Sequence, residues 1–267
     1  MSVKTPIQDA VAGRSTVTSD RPQTIQQYIK RMEGEIVRAL PSVITSERFT
    51  RIVLTALSTN PKLAECTPQS FLGAMMTAAQ LGVEPNTPLG QAYLIPYFNK
   101  KRGVMECQFQ LGYVGLIDLA HRSGEVNVIQ AQVVYEQDYF EYAYGLDSTL
   151  NHIPAKSDRG VPVFVYALFK AKNGGYGFEV MSIDDIRTHA NKYSQAVSSG
   201  PWVTNFEEMA KKTVLKRVLK FAPLKSDTAR AISSDETIKH DIGDDMGDVQ
   251  STYIEGDASE AKEEAVS

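Results

Sequence analysis

The sequence predicts an α+β fold with an antiparallel sheet, and three observations lead there. Residues 24–85 repeat their apolar side chains at three- and four-residue spacing, the period of a helix. From Gln91 the period becomes two, with turn-forming segments at Lys100–Gly103 and Asn173–Gly175 between extended stretches. Gly200–Pro223 then returns to the helical period. The order helices, hairpin, helix, sheet, helix lacks the regular strand–helix alternation of a parallel sheet. About 210 residues between two polar ends suffice for one substantial core or two small, closely packed lobes.

Residues 1–23 are polar and read as a flexible arm without the apolar run of a signal peptide. Residues 24–85 form a helical lobe. Its first helix spans Thr24–Leu40, with Ile25, Tyr28, Ile29, Met32, Ile36 and Leu40 as its stripe, and Pro41 stops it. A second covers Ser46–Ser58. Thr67-Pro68 opens a third, with Thr67 as cap, and Gly82 closes it. Residues 86–230 form an α+β core. Gln91–Asn99 and Val104–Gln110 make a β-hairpin, and Pro96 marks the first strand as an edge or a bulge. The second strand alternates Met105, Cys107 and Phe109 with Glu106, Gln108 and Gln110. A helix follows from Gly112 to His121, then strands at Val126–Tyr135, Tyr139–Tyr144, Val161–Lys170 and Tyr176–Met181. Ser182–Asp185 caps a short helix, and a basic helix ends the core.

The formal charge of −4 hides an uneven distribution. Residues 234–267 hold eleven acids and two bases, −9 in all, so residues 1–233 carry +5. The segment 231–267 is poor in apolar side chains, which predicts a disordered acidic tail that solvates the protein, touches a partner or competes for its basic surface. Cys66 and Cys107 suggest no disulfide framework. No stretch reaches membrane-spanning length, so a reducing cytoplasm fits best.

The basic helix is the most informative stretch. Glu207 and Glu208 suit its first turn, and Thr204 or Asn205 can cap it. Phe206, Met209, Ala210, Val214, Val218 and Phe221 make one apolar face. Lys212, Lys216 and Lys220 stack at i, i+4, i+8 on an outward face, flanked by Lys211 and Arg217. No acid follows Glu208 within the helix, and like charges at that spacing repel, so an external polyanion such as phosphate would relieve them. A solvated surface helix is the plainer alternative. Lys100, Lys101 and Arg102 at the hairpin tip form a second basic feature, with Gln108 and Gln110 on a strand face behind them. A charged turn is also the ordinary end of any hairpin. Together the two elements would wall a groove that follows a sugar-phosphate backbone. Of ten aromatic candidates for stacking on bases, Tyr113 and Trp202 stand nearest the basic elements in sequence. Arg122, at the end of the intervening helix, is a weaker addition.

Other chemistries find little support. There is no G-x-x-x-x-G-K-[ST] loop for ATP, and the glycines at 173–177 sit in a hairpin turn. The four histidines are scattered, without the spacing of a transition-metal site. Asp184-Asp185, or Asp138 with Glu141, would be the acids of a metal-dependent nuclease, but adjacent acids at a helix start are commonly capping residues. No nucleophile stands with a base, so no cofactor, metal or catalytic residue is assigned.

Three long segments in order, TPQSFLGAMMTAAQLGVEPNTPLGQAYLIPYFNK (Thr67–Lys100), CQFQLGYVGLIDLAHRSGEV (Cys107–Val126) and GPWVTNFEEMAKKTVLKRVLKFAP (Gly200–Pro223), resemble the RecT family of bacteriophage and prophage recombinases. The likeness runs over about residues 25–230 and leaves out the acidic tail. It implies a non-enzymatic, ATP-independent protein that coats single-stranded DNA as an oligomer or filament. Such a protein pairs that DNA with a complementary strand in homologous recombination. It also implies a core related to the Red-beta and eukaryotic Rad-type annealing proteins. The implied partners are single-stranded and annealed duplex DNA, further copies of the chain, a phage exonuclease and the host single-stranded DNA-binding protein. Lys100, Lys101, Arg102, Gln108, Gln110, Tyr113, Lys211, Lys212, Lys216, Arg217 and Lys220 carry over as DNA contacts, and residues 24–85 as the subunit-contact lobe. A passive single-strand coating protein and a nuclease remain the alternatives.

Overall fold

The computed structural model describes residues 24–194, 197–198, 201–233, 235, 237–239 and 251–253. The expected arm at 1–23 and most of the expected tail therefore lie outside the described residues. The architecture is α+β with antiparallel sheets, as the change of period predicts.

The first helix divides in two, α1 (Ile25–Arg31) and α2 (Glu33–Ala39), with Met32 closing one and opening the other at φ −90°, ψ 9°. Gly34, a poor helix former, lies just beyond the break. Thr24 caps α1 through a capping box with Gln27, and α3 follows at Ser46–Thr59. A 3-10 turn at Pro61–Leu63 leads to α4 (Pro68–Leu81). Gly82 ends α4 by taking the left-handed conformation (φ 58°), and a side chain is further excluded there because a Cβ would lie 2.5 Å from the Pro41 ring. Thr67 does not cap it by the usual bond. Its hydroxyl donates to Ser70 Oγ (2.8 Å), and Ser70 Oγ accepts from the Cys107 amide (2.9 Å) across the core. Every α4 residue from Ser70 to Ala79 is buried.

The hairpin β1 (Ala92–Asn99) and β2 (Val104–Leu111) pairs in unbroken register from Ala92↔Leu111 to Asn99↔Val104. Pro96 causes no bulge and sits in a two-stranded sheet, where its missing N–H faces an open edge. Helix α5 (Tyr113–Arg122) leads to β3 (Val126–Tyr135). Two strands, β4 (Tyr139–Ala143) and β5 (Thr149–Ile153), form a separate ribbon. The chain returns as β6 (Pro162–Ala171), which lies between β3 and β7 (Tyr176–Ser182) in a three-stranded sheet. Gly174 (φ 86°) makes the β6–β7 turn, as the Asn173–Gly175 segment predicts.

Ser182 caps α6 (Ile183–Tyr193) by accepting from the Asp185 amide, and that helix is longer than its cap suggests. A single turn, α7 (Pro201–Thr204), precedes α8 (Phe206–Leu219) and α9 (Ser226–Ser233). Past α9, β8 (Thr237–Lys239) pairs with β9 (Ser251–Tyr253).

One face of the three-stranded sheet packs on α8, whose other side meets α5. Val165, Ala167, Phe169 and Ala171 of β6 alternate onto that buried face. The opposite face meets the ribbon. Phe140 stacks on Tyr166 (centroids 5.6 Å) and Tyr144 on Phe178 (5.2 Å), and the Val180 amide donates to Tyr144 Oη. The helical lobe, the hairpin and the three-stranded sheet share one continuous apolar core.

Asp138 locks the ribbon at its base. Its buried carboxylate accepts from the Tyr135 and Ala155 amides (2.9 Å each), from Arg159 Nε (3.0 Å) and from His152 Nε2 (3.0 Å). The Arg159 guanidinium holds that carboxyl far below the usual carboxylate range, the two amides and His152 adding to the effect against the opposing influence of burial.

Candidate nucleic-acid interface

Helix α8 presents its cations in different directions, since each residue turns the helix by about 100°. Contrary to the single apolar face read from the sequence, it is buried on two sides: Ala210, Val214 and Val218 form one row, Leu215 and Leu219 another. Phe221, assigned to the apolar face, is exposed just past its end.

Lys212 is accordingly not an outward residue. It is 4% exposed, and its Nζ lies 3.0 Å from Asp235 Oδ2. Lys216 Nζ, partly buried, reaches the same oxygen at 3.0 Å. The other carboxylate oxygen of Asp235 accepts from the Leu111 amide at 2.6 Å. Asp235 is itself buried, and so is Ile232. These positions belong to the segment expected to be a disordered tail, and at these two the chain is packed. A helix with no acid beyond its first turn has drawn one from the C-terminal part of its own chain. The repulsion between Lys212 and Lys216 is relieved by a carboxylate of the protein itself.

Lys211 points along a different line. Its Nζ lies 5.8 Å from the Tyr113 ring centroid and 3.3 Å from Glu208 Oε1. Burial pushes the Tyr113 phenol up, and the Glu208 carboxylate adds to this. Tyr93, exposed on β1, stands opposite Gln110 in the register and close to Tyr113. Two glycines set this corner. A Cβ on Gly112 would meet the Gly90 carbonyl oxygen at 2.0 Å, and one on Gly115 the Gln91 carbonyl oxygen at 2.1 Å. Only glycine lets the start of α5 approach the hairpin base so closely. Gln110, Tyr113, Lys211, Lys212 and Lys216 are thus gathered around the junction of β2, α5 and α8.

The remaining candidates stand elsewhere. Lys100 and Lys101 are exposed at the hairpin tip, about 23 Å along the strands from Leu111 at ~3.3 Å per residue. Arg102 does not project with them. It folds back onto Glu106, a buried carboxylate that also accepts from Tyr97 Oη and from Asn99 Nδ2 (2.9 Å). Gln108 is half-buried midway along the strand. Arg217 pairs with Glu179 of β7 (2.6 Å), away from the hairpin base. Arg122 donates to the Leu81 carbonyl (2.8 Å) and pairs with Asp118 (2.9 Å), so it closes the end of α4. Trp202 is buried against Phe206 with centroids 6.0 Å apart, its ring withdrawn from solvent. Lys220 is exposed at the end of α8.

Sequence reasoning does not name the acids that partner these cations, Glu106, Asp118, Glu179 and Asp235, although competition for the basic surface is one role it gives the acidic segment that holds the last. A run of cations with no acid beyond the first turn of α8 is the signal that such partners are needed, but spacing cannot name them. Asp138, Glu141, Asp184 and Asp185 have local roles. The first binds Arg159, Glu141 accepts from Tyr139 Oη, and the last two open α6. Among the described residues no three His, Cys, Asp or Glu side chains gather as a metal-binding group, and no helix is long and apolar enough to cross a membrane.

Residues 47–250 match the RecT family. The chain is 42% identical to Protein RecT of Escherichia coli (strain K12) over 207 residues, covering 77% of each chain. It is 29% identical over 224 residues to the uncharacterized protein YqaK of Bacillus subtilis (strain 168), covering 80% of this chain and 75% of that one. The matched range holds all three motif segments and every side chain at the β2–α5–α8 junction, including Asp235. The chain belongs to the RecT family.

Proposed function

We propose that this protein anneals complementary single-stranded DNA without ATP, coating one strand as an oligomer and pairing it with another during homologous recombination. Family membership over residues 47–250 carries the reading. The cations around Tyr113 and at the hairpin tip are of the kind the task needs. Sequence-neutral pairing requires phosphate contacts that leave Watson–Crick edges free. Bringing two polyanions together is the main electrostatic barrier, and counterion release offsets it. Stacking and pairing in the duplex then supply the driving force, so the protein acts as a binder and not as an enzyme.

In this reading Gln110, Tyr113 and Lys211 contact the first strand, with Lys212 and Lys216 behind them. Lys100, Lys101 and Gln108 extend the path along the hairpin. Arg102, Arg122, Trp202 and Arg217 become positioning residues, given their internal partners. Lys220 remains a peripheral phosphate contact. The core is related to that of Red-beta and Rad-type annealing proteins, and the protein works in the cytoplasm of a phage- or prophage-carrying cell. Its partners there are an exonuclease and the host single-strand-binding protein. The helical lobe, residues 24–85, supplies subunit contacts, a role to which the exposed Val37, Val43 and Leu54 are suited.

The test is fluorescence quenching between two labelled complementary oligonucleotides, with and without ATP. Faster pairing in both conditions is the expected result. Pairing slowed by the protein would replace this function with passive coating. Dependence on ATP, or cleavage of the strands with a divalent cation, would overturn it.

A further inference from the structure

Three groups converge on Asp235: the Leu111 amide donates to Oδ1 at 2.6 Å, and two ammonium groups stand 3.0 Å from Oδ2 as ion pairs without hydrogen-bond geometry. That set is suited to a singly charged oxyanion with two accessible oxygens, which describes a DNA phosphodiester as well as a carboxylate. We propose that Lys212, Lys216 and the Leu111 N–H form a phosphodiester site, and that Asp235 occupies it as an internal substitute until single-stranded DNA displaces it. The inference rests on the annealing function proposed above and adds its regulation.

The position of the site supports this. It lies next to Tyr113 and Lys211, so a strand stacked on Tyr113 would carry a phosphate toward it. The carboxylate is carried by a segment that follows the central core elements in sequence. Asp235 lies just past α9, and β8 packs on α4 and β2. Releasing that segment would uncover Lys212 while leaving α8 held between the sheet and α5. The Leu111 amide gives a buried carboxylate the hydrogen bond that its second oxygen needs, and the same amide with two cations would serve two phosphodiester oxygens in the same way.

Displacement has a measurable signature. In the native chain, occupation of the site by phosphate exchanges one anion for another, so apparent affinity is reduced by the fraction of molecules in which the site is closed. Asp235→Asn keeps an oxygen for the Leu111 amide and removes the charge. The full chain carrying it should bind a dT oligonucleotide about three- to tenfold more tightly at low salt. The slope of log K against log salt should steepen by about 0.7, one added phosphate on a single strand. Circular dichroism establishes that the variant is folded. A folded variant with unchanged affinity and slope overturns the proposal.

Where the variant does not fold, hydrogen exchange of the native chain decides. Peptides from 226–239 should exchange at least about threefold faster when the oligonucleotide is bound, and unchanged or slower exchange overturns displacement. A native chain that fails to bind dT at all would instead overturn the proposed function. Binding by the native chain with no effect at Asp235 removes this inference alone.

Discussion

At the scale of single residues, two buried charges divide the labour of holding the molecule together. Asp138 has its pKa lowered, so its stabilising effect is complete above the carboxylate range of an unfolded chain, near ~3.9, and is lost as pH falls toward the depressed folded value. Asp138→Asn should destabilise the protein by about 2 kcal/mol at pH 7, measured by urea unfolding. The gap from the native protein should narrow below about pH 4, and a gap that stays constant there would show that charge is not its cause. Lys212 and Lys220 form the second contrast. Stripping Lys212 to Ala leaves the buried Asp235 with one fewer cation and should cost about 3 kcal/mol. Lys220→Ala should change stability by no more than about 0.5 kcal/mol. Equal effects in urea unfolding would contradict the burial of Lys212. A single-face reading of α8 treats these two lysines alike, since both fall on one i, i+4 row.

Elements differ in how openly the sequence declares them. Helix α4 is legible at both ends because Pro68 and Gly82 act through backbone geometry that no neighbour can override. The β1–β2 hairpin is legible because period-two alternation and a Gly103 turn agree. Strand β5 is not legible, because Thr149, Asn151 and Ile153 are exposed and leave no buried alternation to read. The second apolar row of α8, Leu215 and Leu219, stands in plain view but conflicts with three lysines on the same side. Long side chains resolve that conflict by carrying their charge to a distant partner. The candidate site is legible in the same uneven way: Tyr113 and Lys211 meet because α8 packs on α5, whereas Trp202 adjoins the basic helix in sequence and faces inward. The glycines of α5 offer a test at this scale. Gly115→Ala should destabilise by about 3 kcal/mol and weaken single-strand binding together, since the Cβ forces α5 off the hairpin base and shifts Tyr113. Loss of stability with unchanged binding would remove Tyr113 from the DNA surface.

For the molecule as a whole, Lys100 and Lys101 lie at one end of the hairpin, and Lys211, Lys212 and Lys216 at the other. Replacing Lys100 and Lys101 together by Ala should reduce the salt slope of single-strand binding by about 0.7 for each phosphate that they neutralise, without altering the melting temperature. An unchanged slope would confine the binding path to the hairpin base. The bond from the Leu111 amide to Asp235 spans 124 residues of chain, and its consequence is temporal. During synthesis from the N-terminus, β2, α5 and α8 all emerge before Asp235 does. The nascent protein therefore passes through an interval in which Lys212 and Lys216 lack the Asp235 carboxylate, and the joining of the basic helix to the C-terminal part of the chain waits until synthesis has passed residue 235.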